Sequence, residues 1–378
     1  MRIPGYLDDS FLDRVRASYR LALRTTGAGV GRTWRTINMR QASVHAALMA
    51  NANAELRKIY ADPISSDLFY GVDNLSKSVL ANPDDPGAIA ALGAGARSDL
   101  FRLCQALNLD RGLYSDSFEP EEVLRRADQP LNQSIAFPNV FRGELGWPTT
   151  RGIASYRAIQ ALYQAARLVS LVDRSDEKSV VEIGPGMGRT AYYAYRGGLT
   201  DFTTIDLPMG IVAQACFLGA TLGPEKIWMA GDEERLATGR IRLLAAGSNP
   251  SRKFGIVLNC DSMTEMPRSA ALNYVGWITD HSRLFLSINH EITPFTVADV
   301  TTMSLERISR CSYPLRANYW EEIFIPNRSP RSLALRLRQK LSIFSHAAWF
   351  VANHAPAYLR RRISPRSRLP RSTNGRTV

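Results

Sequence analysis

The chain has 378 residues, 45% of them hydrophobic and 22% charged, and its mean hydropathy is −0.17. This composition excludes a collagen-like, coiled-coil or wholly disordered chain, and the length favours a catalytic domain with an accessory region. The net charge of +12 lies at one end, because residues 328–378 hold twelve Arg or Lys and no Asp or Glu, whereas the other 327 residues hold 35 of each sign. We therefore expect no nucleic-acid partner for the neutral body.

No secretory or membrane-spanning segment is expected. The first residues lack an apolar run behind a basic start, and no stretch of about 18 apolar residues occurs. The four cysteines lie far apart, without the CxxC spacing of a zinc or redox site. Free thiols in a reducing compartment are the expected state, which predicts a cytoplasmic protein.

The first 150 residues are predicted to form a mainly helical region that binds the acceptor substrate. Turn-rich segments such as NPDDPG and FPNVFRGELGWP separate its helices. The predicted helices begin at Asp9 or Ser10, run from Ser43 to just before Pro63, and cover roughly residues 97–107.

Residues 151–327 alternate short apolar runs with helix-sized segments, after a helix from about Ala154 to Val172. That alternation predicts an α/β fold, a doubly wound, mostly parallel Rossmann-like sheet. Two later runs, around Tyr313 and from Tyr319 to Ile325, are expected to close the sheet, one of them antiparallel. The five earlier strands are predicted over residues 179–183, 202–206, 241–245, 254–259 and 283–288.

Residues 328–378 are predicted to form a basic tail, amphipathic or disordered. Leu333, Leu337 and Leu341 form an apolar stripe at helical spacing, while arginines occupy the other faces and the Pro- and Ser-rich end. Two interpretations stay open. The tail could make peripheral contact with the anionic inner surface of a membrane, or it could be a solvated extension without a partner.

The strongest chemical signal is a glycine-rich turn in VVEIGPGMGRTAYYAY. An apolar strand leads into Gly184, Gly186 and Gly188, and a helix follows, so backbone amides can approach a ligand closely. The dinucleotide fingerprint GxGxxG would need glycine at the position of Arg189. The spacing found is E-x-G-x-G-x-G, with Glu182 two residues before the first glycine, and it resembles motif I of the class I S-adenosylmethionine-dependent methyltransferases. Anionic Glu182 also suits a ligand with ammonium and sulfonium charges better than it suits a pyrophosphate.

The next strand supplies a second candidate cofactor residue. Asp206 ends that strand, 24 residues after Glu182, where an acid can accept hydrogen bonds from both ribose hydroxyls. NAD-dependent enzymes place an acid similarly, so Asp206 alone does not discriminate between the two cofactors. We also predict cofactor contacts from Leu207, which follows Asp206, and from Asn259 on the fourth strand.

Polar side chains follow the fourth and fifth strands, at the edge of the sheet where ligands bind. The fourth strand continues into NCDSMTEMP, with Asp261 and Glu265, and the fifth ends in SINHE, with His290 and Glu291. Methyl transfer to a hydroxyl needs a base that removes the proton, so Asp261, Glu265 and His290 are the candidate catalytic residues.

These residues have alternative roles. Asp261 could cap a helix or contact the cofactor, and Glu265 could pair with an arginine. His290 and Glu291 could form a hydrogen-bonded loop pair, although histidine is the side chain that most readily exchanges a proton near neutral pH. A metal site built from Asp261, Glu265 and Glu291 is a further alternative, but no compact ligand motif requires it, so no metal is predicted.

Six segments carry a family resemblance over roughly residues 45–325. They are ADPISSDLFYG, GWPTTRGIASYRAIQALYQAARL, VVEIGPGMGRTAYYAY, TTIDLPMGIVAQACFLGATLGPEKI, LNCDSMTEMP and LFLSINHE. Together they resemble the sugar O-methyltransferase family of bacteria, which belongs to the class I S-adenosylmethionine-dependent methyltransferases. The resemblance implies methyl transfer to a sugar hydroxyl, within a surface glycan or its nucleotide- or lipid-linked precursor.

The resemblance also assigns residues. Asp261 and Glu265 match a family signature, while the family often has glutamine at the positions of Cys260 and His290, which argues against His290 as a family-wide base. The implied cofactor residues are Glu182, Gly184, Gly186, Gly188 and Asp206.

Three other functions are considered. An NAD(P)-dependent sugar dehydrogenase or epimerase is disfavoured by Arg189 and by the absence of a YxxxK-like pair. A nucleic-acid methyltransferase would usually carry [ND]PP[YF] after the fourth strand, where this chain has NCDSMTEM. A non-enzymatic binding protein would not need acidic groups at two further strand ends.

Overall fold

The structure is a computed structural model that describes residues 5, 7–26, 31–71, 86–114, 118–172, 176–292 and 294–327. Contacts divide the chain after Ser329, and Met1–Ser329 is one compact unit. The predicted basic tail, residues 328–378, lies outside the described residues. Within the ranges given, no helix has both the length and the apolar character that crossing a bilayer requires.

The N-terminal part is helical, as predicted, and ends in a β-hairpin that the sequence did not predict. Its elements are α1 (Asp9–Thr25), α2 (Arg32–Arg40), α3 (Ala42–Met49), α4 (Asn53–Ala61), α5 (Pro86–Ala106), α6 (Pro120–Ala127), β1 (Trp147–Thr149) and β2 (Gly152–Ala154). Asp8, not Asp9 or Ser10, caps α1, because its carboxylate accepts a hydrogen bond from the Phe11 amide at 2.7 Å. The helix expected from Ser43 is two helices, since Asn51 takes a left-handed φ of 54° between α3 and α4.

The second part alternates strands and helices. Its elements are α7 (Tyr156–Val172), β3 (Val180–Ile183), α8 (Arg189–Arg196), β4 (Phe202–Asp206), α9 (Pro208–Leu222), β5 (Ile227–Met229), β6 (Ile241–Ala245), β7 (Phe254–Cys260), α10 (Arg268–His281), β8 (Ser282–His290), α11 (Val297–Thr301), β9 (Leu305–Ser312) and β10 (Tyr319–Pro326). All five predicted strands are present. The strand expected around Tyr313 lies just before that residue, and β5 was not predicted.

The second part forms one eight-stranded sheet in the order β5-β6-β4-β3-β7-β8-β10-β9. The strands from β5 to β8 in that order pair in parallel, and β10 is antiparallel to both β8 and β9. This is the predicted doubly wound α/β fold, closed by one antiparallel strand. The strand order reverses between β3 and β7, so a ligand crevice is expected beyond their carboxyl ends.

The central strands are buried, and polar contacts attach the N-terminal helices to this part of the fold. Every residue of β3 and β4 is buried, as in parallel strands that have helices on both faces. Several polar contacts hold the N-terminal helices against this layer, two of which come from α1 and α4. Arg14 of α1 makes a bidentate pair with Asp232, at 2.9 and 2.7 Å, and the Tyr60 hydroxyl of α4 donates to the Val212 carbonyl of α9 at 3.0 Å.

Candidate active site

A cavity of about 390 Å³ opens at the carboxyl ends of the parallel strands. Its wall is formed by the turn after β3, the segments that follow β4 and β7, one side of α7, and residues at the start of α2. The volume is typical of small-molecule sites. Seven of the ten predicted site residues line the cavity, namely Glu182, Gly184, Gly186, Asp206, Leu207, Asp261 and Glu265.

The turn after β3 depends on glycine. Gly184, Gly186 and Gly188 have φ values of 69°, 62° and 89°, in the left-handed region that favours glycine. A Cβ atom on Gly184 would lie 2.1 Å from the Ser262 Oγ atom, so a side chain does not fit there. Gly188 is not part of the cavity wall; it is the N-cap residue of α8.

Glu182 is a buried acid with an unmet hydrogen-bonding capacity. It is 2% exposed, and its Oε2 atom has no hydrogen-bond partner within the described part of the chain. Burial raises the pKa of Glu182 to about 8; a hydrogen bond from Thr190 opposes the shift, and the charge of Asp206 adds to it. A cation bound at this position would supply both a partner and a counter-charge.

Asp206 faces the cavity from the end of β4. Its Oδ1 atom accepts a hydrogen bond from the Leu207 amide at 2.7 Å, and its Oδ2 atom accepts one from Gln214 Nε2 at 2.8 Å. Burial raises the pKa of Asp206 to about 7, although both hydrogen bonds lower it. The carboxylate is thus fixed in position while it remains open to a ligand.

The other two predicted cofactor contacts differ from each other. Leu207 lines the cavity as the N-cap residue of α9. Asn259 is fully buried beneath the turn, where its Nδ2 atom donates to the Ile183 carbonyl at 2.9 Å and to Ser262 Oγ at 2.6 Å. Its Oδ1 atom accepts from Asn289 at 2.9 Å. Asn259 therefore stabilises the turn through these hydrogen bonds and does not line the cavity.

Asp261 joins two arginines at the far end of the cavity. Its φ of 66° is uncommon for a residue with a side chain. Its Oδ2 atom accepts from Arg316 at 2.8 Å and from Arg157 at 3.2 Å. Burial opposes ionisation, but Arg316, Tyr319 and Arg157 outweigh it and hold the pKa of Asp261 below its usual range. An ionised acid in two ion pairs is a weak proton acceptor, so Asp261 is better suited to positioning the arginines.

Glu265 lies on the same wall, four residues further along the chain. Burial and the charge of Asp261 raise the pKa of Glu265, while Arg157, Arg316 and the Trp34 indole oppose the shift. A general base works best when its pKa approaches the working pH. Of the two carboxylates at this end, Glu265 is the one whose pKa moves in that direction.

The structure places His290 and Glu291 away from the cavity wall. The His290 ring packs edge-on against Tyr319, with 5.3 Å between ring centroids, and Glu291 accepts a hydrogen bond from Arg310 at 2.7 Å. In the described ranges, no group of three His, Cys, Asp or Glu side chains is arranged to hold a metal ion.

Several cavity residues were not identified from the sequence. Gln160 and Gln164 are 5% exposed on α7 and point into the cavity, and Trp34 and Tyr274 line it from α2 and α10. Two glutamines four residues apart on the buried side of an apolar helix were a usable signal. No local pattern could have brought Trp34 to Glu265, because that proximity depends on how distant elements pack.

No family model matches the sequence, and no curated protein matches it. Solved structures do match. A candidate O-methyltransferase from Nostoc punctiforme is 9% identical, over 67% of this chain and 99% of its own, with a TM-score of 0.33. Another candidate O-methyltransferase, from Klebsiella pneumoniae, is 14% identical, over 60% of this chain and 97% of its own, with a TM-score of 0.32. The magnesium protoporphyrin IX methyltransferase of Synechocystis, solved with bound S-adenosylmethionine, is 11% identical, over 46% and 80%, with a TM-score of 0.32. Likeness at this level indicates neither activity nor substrate.

Proposed function

We propose that this protein is an S-adenosylmethionine-dependent O-methyltransferase. The observation that carries the proposal is the buried Glu182 carboxyl group, whose Oε2 atom has no partner among the described residues and lies beside a turn of left-handed glycines. Burying an ionised acid without a partner is costly, and a ligand ammonium group would offset that cost. A pyrophosphate at the same place would supply no counter-charge for an ionised Glu182, which favours S-adenosylmethionine over a dinucleotide.

The residues of the cavity fit S-adenosylmethionine. Glu182 would bind its ammonium group, Asp206 would accept hydrogen bonds from its ribose hydroxyls, and Leu207 and Tyr274 would pack against its adenosine portion. Gly184 and Gly186 keep the turn free of side chains, so the ligand can approach the backbone closely. When bound, the cofactor supplies an electrophilic methyl group on a sulfonium.

We propose a sugar hydroxyl as the acceptor, in a glycan or in its nucleotide- or lipid-linked precursor. The sequence resemblance over residues 45–325 supports this acceptor. So does the presence of Trp34 and Glu265 on one wall, because sugars present apolar ring faces to aromatic rings and hydroxyls to carboxylates. Glu265 would accept the hydroxyl proton, while Asp261 holds its two arginines. Glu265→Gln should abolish transfer to such an acceptor and retain cofactor affinity; retained transfer would rule out Glu265 as the base.

Calorimetric titration with S-adenosylhomocysteine and, separately, NADH tests the cofactor assignment. We expect the wild-type protein to bind S-adenosylhomocysteine alone and the Asp206→Ala and Gly186→Val variants to lose that binding. Asp201→Ala is the matched control. Asp206 ends β4, whereas Asp201 directly precedes β4 at the other end of that strand and pairs with Arg252. Binding of NADH, or binding of neither ligand by a folded protein, would refute the proposal.

A further inference from the structure

Three polar side chains form a chain of hydrogen bonds that ends at the cavity. Thr204 and Gln214 are fully buried, and neither lines the cavity wall. Thr204 Oγ1 donates to Gln214 Oε1 at 2.7 Å, and Gln214 Nε2 donates to Asp206 Oδ2 at 2.8 Å. Of these three hydrogen-bonded side chains, Asp206 alone lines the cavity. Thr204 and Gln214 can therefore influence a bound ligand only through Asp206.

We infer that Gln214 is a positioning residue that presents Asp206 to the ribose diol of an adenosine ligand and thereby determines selectivity for ribose over deoxyribose. The inference rests on the proposed function, since it takes the ligand to be S-adenosylmethionine. It goes further by naming a residue outside the cavity that controls which nucleoside is accepted.

The number of acceptor sites on Asp206 matches a diol. Above its pKa of about 7 Asp206 is ionised, and an ionised carboxylate offers about four lone-pair sites. The Leu207 amide occupies one on Oδ1, at 2.7 Å, and Gln214 occupies one on Oδ2. The two sites that remain equal the two hydroxyls of a ribose. A 2′-deoxyribose would leave one site of a buried carboxylate unmet, which is unfavourable.

Thr204 contacts the amide that holds Asp206. Its hydroxyl oxygen lies 2.7 Å from Gln214 Oε1 and 3.3 Å from the Arg242 carbonyl oxygen, so the hydrogen bond to Gln214 is the shorter of the two. With the amide oxygen engaged by Thr204, the amide nitrogen faces the carboxylate. Loss of the hydroxyl would remove this donor from the amide oxygen, so the amide could reverse and bring its oxygen against Asp206.

Gly210 provides the space that this arrangement needs. A Cβ atom at Gly210 would lie 2.5 Å from Asp206 Cγ, closer than any real contact of that kind. Gly210 and Gln214 are four residues apart and therefore lie on the same face of α9. One face of this helix thus provides both the space for the carboxylate and the donor that holds it.

The test is calorimetric titration with S-adenosylhomocysteine and with its 2′-deoxy analogue. We expect the wild-type protein to prefer the ribose ligand by about tenfold or more, as a hydrogen bond to a charged group allows. Gln214→Leu leaves Asp206 Oδ2 without the donor that holds it, so it should weaken binding of the ribose ligand by about tenfold, weaken binding of the deoxy ligand less, and thereby reduce the preference. Thr204→Val should reduce the preference in the same direction by a smaller factor.

Thr221→Val is the matched control for Thr204→Val. It makes the same chemical change on the helix that carries Gln214, but within the described ranges the Thr221 hydroxyl donates to carbonyls of its own helix, with the Phe217 oxygen at 2.8 Å. This control should keep the wild-type preference. If Gln214→Leu does not fold, Gln214→Met keeps the length of the side chain and also removes the donor to Asp206, so it should show the same reduction in preference.

The outcomes separate the inference from the function on which it rests. Equal weakening of both ligands by the Gln214 variants would show a merely structural role and overturn the inference. An unchanged preference in those variants, or no preference in the wild-type protein, would also overturn it. Failure of the wild-type protein to bind S-adenosylhomocysteine at all would instead refute the proposed function.

Discussion

At the scale of single residues, we expect Glu182 to lower the stability of the ligand-free protein at high pH and to favour ligand binding. Its pKa is about 8 in the folded protein and 4.5 ordinarily. Between these pH values the folded protein keeps a proton that the unfolded chain has released, so the contribution of Glu182 to stability falls as pH rises through this window. Glutamine imitates the neutral acid and avoids that loss. At pH 9, Glu182→Gln should therefore raise the free energy of unfolding by roughly 1–3 kcal/mol without ligand.

The measurement is urea unfolding of both proteins at pH 5 and pH 9, with and without S-adenosylhomocysteine. The advantage of the variant should be small at pH 5, and S-adenosylhomocysteine should stabilise only the wild-type protein. A variant that is less stable than wild type at pH 9 would contradict the stability argument. A variant that the ligand stabilises as much as wild type would contradict the binding role.

At the scale of elements, a buried ion pair ties the start of α8 to the N-terminal region. Arg189 Nη2 lies 2.9 Å from Glu144 Oε1, and their side chains are only 7% and 4% exposed. Glu144 also accepts hydrogen bonds from Ser155 at 2.6 Å and from Asn139 at 2.9 Å, so it organises the segment around the β-hairpin. The pair therefore connects that segment to the glycine-rich turn.

Arg189→Met should destabilise the protein by about 3–5 kcal/mol, because it leaves the Glu144 charge buried without its cation. The double variant Arg189→Met/Glu144→Gln should regain most of that loss, since no unpaired charge remains. Urea unfolding of both single variants and the double variant measures the coupling. A double variant as unstable as the sum of the two single variants would show that the pair contributes no mutual stabilisation.

The central strands could be predicted because parallel strands buried on both faces read as continuous apolar runs. The predicted bounds of β4 and β6 agree with the structure to the residue. The three-residue β5 is too short to give such a signal, and the break between α3 and α4 depends on the backbone of a single residue, Asn51. The sequence therefore predicts an element when the burial of that element determines its pattern of apolar residues.

Part of the candidate site was predictable for a related reason. Side chains that follow parallel strands meet at one edge, which brings Glu182, Asp206, Asp261 and Glu265 to one cavity. Strand order does not predict which of the neighbouring side chains are buried beneath the turn and which line the cavity. Asn259 bonds beneath the turn, a placement that only the packed structure reveals. The support of the turn thus depends on contacts between elements, whereas the carboxylates that line the cavity follow from strand order.

At the scale of the whole molecule, the excess of basic residues is confined to one end of the chain. The first 327 residues are formally neutral, whereas the remainder carries twelve basic side chains and no acidic ones. Contacts divide the chain close to the same place, at Ser329. A chain that ends at Asn327 should therefore keep the unfolding midpoint and the S-adenosylhomocysteine affinity of the full chain. A loss of either would show that the folded body needs the basic residues.

The same truncation tests whether the basic residues bring the protein to a membrane. Each basic side chain near an anionic surface contributes about 1 kcal/mol, an attraction that salt screens. The full chain should float with vesicles that contain anionic lipid at low ionic strength and separate from them near 1 M salt, where the screening length is about 3 Å. The truncated chain should stay unbound under both conditions, because its charges cancel. Flotation of both chains, or of neither, would exclude membrane contact through residues 328–378.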